Sequence, residues 1–382
     1  MKRRSALWAS ALAPLAPLMA GRAWAGPDAE AGMQRLATAW QVPGTSAPDS
    51  GFRVGVLDIA WSAGRVQLRA QQSVPTRAHG LLPLADGGFV AVANRPGRWL
   101  LRCDAGGAVM QRLDTAAEKP LRSFNGHVEA IASPGPGGEI RWLCTSETDP
   151  DTGVGWLSLR DARTLQRVAQ FESAGIDPHQ LRQATDGALL VANGGIVRDA
   201  LGRKIEAERM APSLARIDPA SGRLLGRWTL ADPQLSIRHI AWASGPDPLL
   251  GLALQAEHAD PAQRAAAPSL ALWNGKALVL PCPDRSAGGY VGDIAAGPGG
   301  GFVISAQKQG RGLWWHPAAP EQLTLIAQLT EPCALVPAPD GAGVAISAAR
   351  GAARWHATEA PRMLPWPVPM APDNHWVLLA AA

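Results

Sequence analysis

Aromatic residues other than tryptophan are scarce in this chain: one Tyr and five Phe stand against 15 Trp in 382 residues. Cysteine is scarce too, at four, and none sits in the Cys-x-x-Cys-His spacing that attaches haem covalently. Lys and Arg are scattered and the net charge is only +4, so the chain lacks the basic stripe of a nucleic-acid binder. Beyond the first 25 residues no stretch is long and apolar enough to span a bilayer, and no integral membrane segment is expected. Gly-x-Ser-x-Gly, His-Glu-x-x-His and Walker patterns are absent, which argues against P-loop chemistry and leaves no nucleophile or acid/base pair to pick out. Helical periodicity is absent as well, with one exception over Ala29 to Trp40.

Glycine and proline, at 41 and 33 residues, are what the chain has in quantity, and they imply many turns. With 47% hydrophobic and 18% charged residues it has enough apolar material for a large core. Lys2-Arg3-Arg4, the apolar run from Ala6 to Gly21 and Ala23-Trp24-Ala25 read as an export leader ending at residue 25. The Arg3-Arg4 pair suggests twin-arginine export. Ser5-Ala6-Leu7 fits that motif poorly, so general secretion stays open. A periplasmic protein is expected, with residues 26–49 as a linker. In an exported protein the four cysteines can form disulfides, and Cys103 and Cys144, in adjacent repeats, are the pair best placed to meet.

Five of the eight histidines fall at one recurring position. His79, His127, His179, His239 and His375 each open a short apolar run, as in Ile237-Arg238-His239-Ile240-Ala241-Trp242. Two further runs carry Gly292 and Cys333 at that position. The positions are separated by 48, 52, 60, 53, 41 and 42 residues. Repeats of this length with about four short strands each are the mark of propeller blades. In the second repeat the strands read as Val128 to Ser133, Ile140 to Thr145, Val154 to Arg160 and Arg167 to Phe171, with Pro134 to Gly138 as the first turn. Phe52 to Asp58 and Arg65 to Gln71 precede the first full repeat, and one short strand follows His375. Together these ends make one split blade. The expected fold is therefore all-β: a seven-bladed β-propeller over residues 50–382, its last blade closed by N- and C-terminal strands, which removes exposed sheet edges.

Inner strands of a propeller begin at one mouth of the central channel. The long connections Glu147 to Gly153, Gly194 to Ser213 and Glu257 to Ser269 lie over that same mouth, and long loops on a rigid scaffold carry function. Neutral imidazole is a good ligand for first-row transition metals. A metal site of His79, His127, His179, His239, His375 and Cys333 is the leading reading, with iron or another transition metal as cofactor. Blade-locking histidines are the competing reading; they usually pair with an aspartate of their own blade, and no consistent partner is visible. A metal-free polar pocket is the third. Around the same mouth Arg77, Glu147, Asn193, Arg203 and Arg238 are candidate pocket residues for a small polar ligand, with Arg77 and Arg238 placed to bind a carboxylate or to pair with Glu147. Asp149-Pro150-Asp151-Thr152-Gly153 reads as an ordinary turn, and His258, His316 and His356 as incidental.

Four segments in order, Gly175-Ile176-Asp177-Pro178-His179-Gln180-Leu181, Val191-Ala192-Asn193-Gly194-Gly195-Ile196, Met210-Ala211-Pro212-Ser213-Leu214 and Gln234-Leu235-Ser236-Ile237-Arg238-His239, resemble the domain-of-unknown-function fifteen-thirteen family. Those are exported bacterial propeller proteins without an established activity, and their genes are often found near imelysin-type, iron-associated periplasmic proteins. The resemblance implies a place in iron acquisition or homeostasis and another periplasmic iron-handling protein as partner. Where relatives tend to carry Thr-His-Pro after Gly-Gly-Ile, this chain has Val197-Arg198-Asp199, so that histidine's role does not carry over. The alternatives to metal binding are a propeller enzyme, a hydrolase or oxidoreductase acting on a small polar substrate, and a protein-interaction scaffold.

Overall fold

Seven four-stranded antiparallel sheets account for almost all the regular structure. The computed structural model describes residues 32–45, 51–132, 140–245 and 249–380. The expected leader and the Pro134 to Gly138 turn lie outside these residues. Six blades are continuous in sequence. The first comprises Ala78–Pro83, Phe89–Ala93, Trp99–Cys103 and Val109–Asp114, and the third Pro178–Gln183, Leu189–Asn193, Ser213–Ile217 and Leu224–Trp228. The first strands of successive blades, Ser123–Ala132, Pro178–Gln183, Leu235–Trp242, Ile294–Ala296, Leu335–Pro337, Ala371–Leu378 and Ala78–Pro83, contact one another in a closed circle around the channel. Among the described residues no helix is long and apolar enough to cross a membrane.

Turn chemistry ends the strands on the face away from the histidines. Gly87, at φ +80°, completes a turn in which Leu84 N donates to Gly88 O and Asp86 Oδ1 accepts from Gly88 N. Strand residues alternate between the two inter-blade interfaces. Phe89, Ala91 and Ala93 pack toward the closing blade, and Val90 and Val92 toward the second.

The closing blade runs Ala371–Leu378, Met33–Gln41, Phe52–Ala60, Arg65–Ser73 from the channel outward. Closure by both termini is as expected, but the N-terminus supplies three strands rather than two. The extra one lies where a linker was expected and where helical periodicity was read. Met33–Gln41 is paired on both sides, and Leu36, Ala37, Thr38, Ala39 and Trp40 are all buried. A central strand packed on both faces loses the polar–apolar alternation that identifies strands in sequence.

Trp376 of the C-terminal strand is buried with Leu36, Ile59 and Trp61 from the N-terminal strands and with Ala334 and Val336 of the sixth blade. A chain ending at Met370 loses this strand, and burial of Trp376 alone contributes about 3–5 kcal/mol. The truncated chain is expected to melt on the order of 10 °C lower. An unchanged melting temperature would contradict closure by this strand.

Candidate functional site

Each of the five histidines sits where the pairing of an inner strand breaks. Register shifts occur between Ala78 and Leu81, Phe124 and Val128, Pro178 and Leu181, and Ile237 and Ile240. A further shift, between the pairs Trp40–Pro372 and Thr38–Trp376, encloses His375. A bulge re-aims a side chain that regular pleating would direct between blades, and here it turns all five imidazoles into the channel. Ile294–Ala296 and Leu335–Pro337, which follow Gly292 and Cys333, pair with their neighbours without such a shift.

The imidazoles converge. Ring centroids of neighbouring pairs lie 4.3–5.7 Å apart, and all five residues are buried. Ligating atoms of His79, His127, His179 and His239 lie within 4.8 Å of one another, as do those of His239, Asp293 and His375. His179 Nε2 is 3.2 Å from His127 Nε2 and 3.0 Å from His239 Nε2, which is in turn 3.2 Å from His375 Nε2.

The outer ring nitrogens define tautomers through their partners. His79 Nδ1 lies 2.9 Å from Asp373 Oδ1; a carboxylate only accepts, so Nδ1 carries the proton and the Nε2 lone pair faces the cluster. Nε2 of His79 is buried without a partner. His375 Nδ1 lies 3.4 Å from Asp293 Oδ1, close to the carboxylate but without a formed hydrogen bond. His179 Nδ1 instead meets the Arg95 guanidinium, which only donates, so the His179 proton points inward from Nε2. His239 Nε2 stands between His179 and His375 and can accept from the first or donate to the second according to its own tautomer. Nδ1 of His239 has no partner either.

Burial, the dominant influence, keeps His79, His127, His179 and His239 uncharged. It lowers His79 to about 3, against the opposing pull of Asp373. Burial first, and then the neighbouring imidazoles and guanidiniums, hold His127, His179 and His239 well below the usual histidine range. Asp373 is held below the ordinary carboxylate range. Burial opposes that shift, and His79 and Arg77 outweigh it.

Above the histidines opens a cavity of about 460 Å³, lined by His79, His179 and His239 together with Arg77, Arg95, Arg198, Arg238, Tyr290 and Gln307 among others. The loop after Asn193 forms part of its wall. Gly194 makes this possible: a Cβ there would stand 2.5 Å from Arg238 Nη1 and 2.9 Å from Asp177 Oδ2. Lys204 Nζ, 2.6 Å from Glu257 Oε1, ties this loop to the next blade.

Several expected site residues are placed elsewhere. The Cys333 thiol donates to Glu331 O at 3.1 Å and accepts from Gln307 Nε2 at 3.3 Å, and burial pushes it up to about 12. It is a thiol outside the histidine cluster. Glu147 is fully buried inside the second blade, bonded to Arg160, Ser158 and Thr145, so it pairs with neither Arg77 nor Arg238. Asn193 is also internal and donates to Ser173 O and Ser213 Oγ. Arg203 points to solvent and pairs with Asp199 at 2.6 Å. Arg77 and Arg238 do line the cavity and pair with Asp373 and Asp177. All four cysteines are free, and Asp149 accepts from Asp151 N and Thr152 N as a turn residue. His258 and His356 bond to Asp232 and Asp340 away from the cluster.

Sequence reasoning missed the aspartates, because it looked for partners within a blade. Asp373 of the closing blade fixes His79 of the first, and Asp293 of the fifth reaches His375. The available signal was an Asp two residues before both His179 and His375. Arg95, at the end of a second strand, had no repeated counterpart to mark it.

Among curated proteins none matches this chain significantly. Two solved structures are similar to it in fold. The first, "Structure of Dos1 propeller", has a TM-score of 0.50 at 13% identity and covers 77% of this chain and 72% of its own. The second, a putative 6-phosphogluconolactonase from Bacteroides uniformis, has a TM-score of 0.59 at 11% identity and covers 91% and 100%. At these identities the likeness is one of fold. The family model described as "Protein of unknown function (DUF1513)" matches residues 72–379, and the chain belongs to that family.

Proposed function

We propose that this protein binds one first-row transition-metal ion in the histidine cluster, as a periplasmic component of iron acquisition or homeostasis exported through its N-terminal leader. The observation that carries the reading is the convergence of His79, His127, His179 and His239, whose ligating atoms lie within 4.8 Å of one another, with the His79 Nε2 lone pair turned inward by Asp373 at Nδ1. A metal about 2.0–2.1 Å from each nitrogen places neighbouring ligand nitrogens roughly 2.9–3.4 Å apart; His239 Nε2, 3.0 Å from His179 Nε2 and 3.2 Å from His375 Nε2, has neighbours in that range. Carboxylate–histidine pairs of the Asp373–His79 kind orient metal ligands and raise their basicity. An all-imidazole set suits iron, copper, nickel or zinc, and the family context makes iron the first to test.

A second reading, an enzyme acting on a small polar substrate, is favoured by the cavity that reaches the same histidines. Catalytic metals keep a coordination position open on such a side.

Protein exported in its own host and purified without chelator is expected to carry about one metal per chain by elemental analysis. If it carries none and takes none up, the metal reading fails and a partner-binding scaffold replaces it.

A further inference from the structure

Four guanidiniums line the cavity over the histidines: Arg77, Arg95, Arg198 and Arg238. Two carboxylates answer them. Asp373 pairs with Arg77 and also holds His79. Among the described residues Asp177 is the one carboxylate paired with the other three: Oδ1 is 2.7 Å from Arg95 Nη1 and 3.4 Å from Arg198 Nε, and Oδ2 is 2.7 Å from Arg238 Nη1, while Arg95 and Arg198 also donate to the backbone oxygens of Asn125 and Gly202. Asp293, beside His375, already accepts from Ile294 N and Leu335 N. At the rim Glu257 is taken by Lys204, and Lys308 stacks its ammonium 4.0 Å over the Tyr290 ring, adding positive charge.

Arg77 is partly open to solvent, but the three guanidiniums around Asp177 are not solvated surface charges. The side chains of Arg95 and Arg238 are each only 9% exposed, and Asp177 is 3% exposed. Arg238 Nε is buried and has no partner. Asp177 offsets only one of the three positive charges around it, and like charges in a poorly solvated place repel unless a further anion joins them.

We propose that the cavity is a binding site for a small di- or tricarboxylate anion, held by Arg95, Arg198 and Arg238 directly over the histidine cluster. A planar carboxylate matches the guanidinium fork in two parallel hydrogen bonds. The choice of a multivalent carboxylate over a single tetrahedral oxyanion comes from the rest of the wall. Asn94, Gln255, Tyr290, Gln307 and Asn374 offer hydrogen-bonding groups across about 460 Å³, which calls for a ligand with polar groups at both ends. The site needs no metal, so it stands apart from the reading above.

The test uses mature, metal-stripped protein and isothermal titration calorimetry at low salt, with citrate, succinate, inorganic phosphate and glycerol as probes. Citrate or succinate is expected to bind once per chain and glycerol not at all. Arg238→Gln is expected to weaken carboxylate binding roughly tenfold or more. If that variant misfolds, Arg198→Gln on the outer loop is read in its place. Asp177→Asn removes the competing acid while keeping a residue that tolerates the positive φ of this position, 55°. It is expected to tighten carboxylate binding roughly threefold or more. A purely structural ion cluster predicts no carboxylate binding in any variant, and that result overturns the proposal. Phosphate binding tighter than citrate overturns the carboxylate assignment. Carboxylate binding only after metal loading overturns the guanidinium site while supporting the metal; absence of metal binding with carboxylate binding intact does the reverse.

Discussion

Replacing His79 or His239 with alanine is expected to abolish stoichiometric metal binding, and the other positions should rank behind them in an order set by their second partners. His79 presents an oriented lone pair, because Asp373 takes its Nδ1 proton. Asp373→Asn leaves the ring in place but lets it turn or change tautomer, and losses of roughly 10–100-fold in affinity are typical of such a change. His179 is different. Its Nδ1 faces the Arg95 guanidinium, so its Nε2 proton must be displaced before the ring can ligate. His179→Ala is therefore expected to cost less affinity than His79→Ala. Cys333→Ala should cost nothing, since that thiol is engaged with Glu331 and Gln307. Competition titration against a chromophoric chelator reads all of these on one scale. Equal losses at every histidine would mean that tautomers do not govern the site. A loss at Cys333 equal to that at His79 would mean that the cluster rearranges around metal.

The difference between His79 and Cys333 also shows what the sequence can and cannot carry. Both stand at the same position of the repeat, and spacing alone treats them alike. A bulge in the inner strand separates them: the register shifts around His79, whereas the Leu335–Pro337 strand starts two residues after Cys333 and pairs regularly. A bulge depends on how two strands meet, and single-sequence periodicity does not encode it. The repeat itself was legible because each blade buries its own apolar run, which forces the same pattern seven times over. The first strand of the closing blade was not legible, because Leu36 to Trp40 is buried from both sides and carries no alternation.

The charged lining was only half legible for a related reason. Arg77 and Arg238 adjoin the histidines in sequence and were visible as neighbours. Arg95 and Asp373 reach the site from other blades, and contacts of that range follow from ring closure. Glu147 and Asn193 were expected at the mouth because their strands end there. Their side chains turn into the blade instead, where Arg160 and Ser213 wait for them. A strand end fixes where the backbone is; the pleat decides which way the side chain goes.

Metal-stripped protein is expected to lose stability steeply as pH falls below about 6.5. His79, His127, His179 and His239 stay neutral in the folded state because burial disfavours their charged forms. In the unfolded chain the same residues take up protons near pH 6.5. A depressed folded-state pKa makes unfolding absorb protons, so stability is fully present above the unfolded value and is lost as pH falls toward the folded one, about 3 for His79. Each such group contributes a slope approaching 1.4 kcal/mol per pH unit. Four acting together remove on the order of 5 kcal/mol between pH 7.5 and 5.5, a large share of the roughly 5–15 kcal/mol of an ordinary domain. Asp373 and Asp177, held low by their cationic partners against burial, withdraw their contribution only below the ordinary carboxylate range, in a separate and more acid window. Urea denaturation at a series of pH values measures the slope directly, and replacing His79 and His127 together with glutamine should reduce it by about half. A flat profile between pH 7.5 and 5.5 would mean that the folded cluster accepts protons as readily as the unfolded chain, and the dry, uncharged interior on which both the slope and the metal site depend would have to be abandoned.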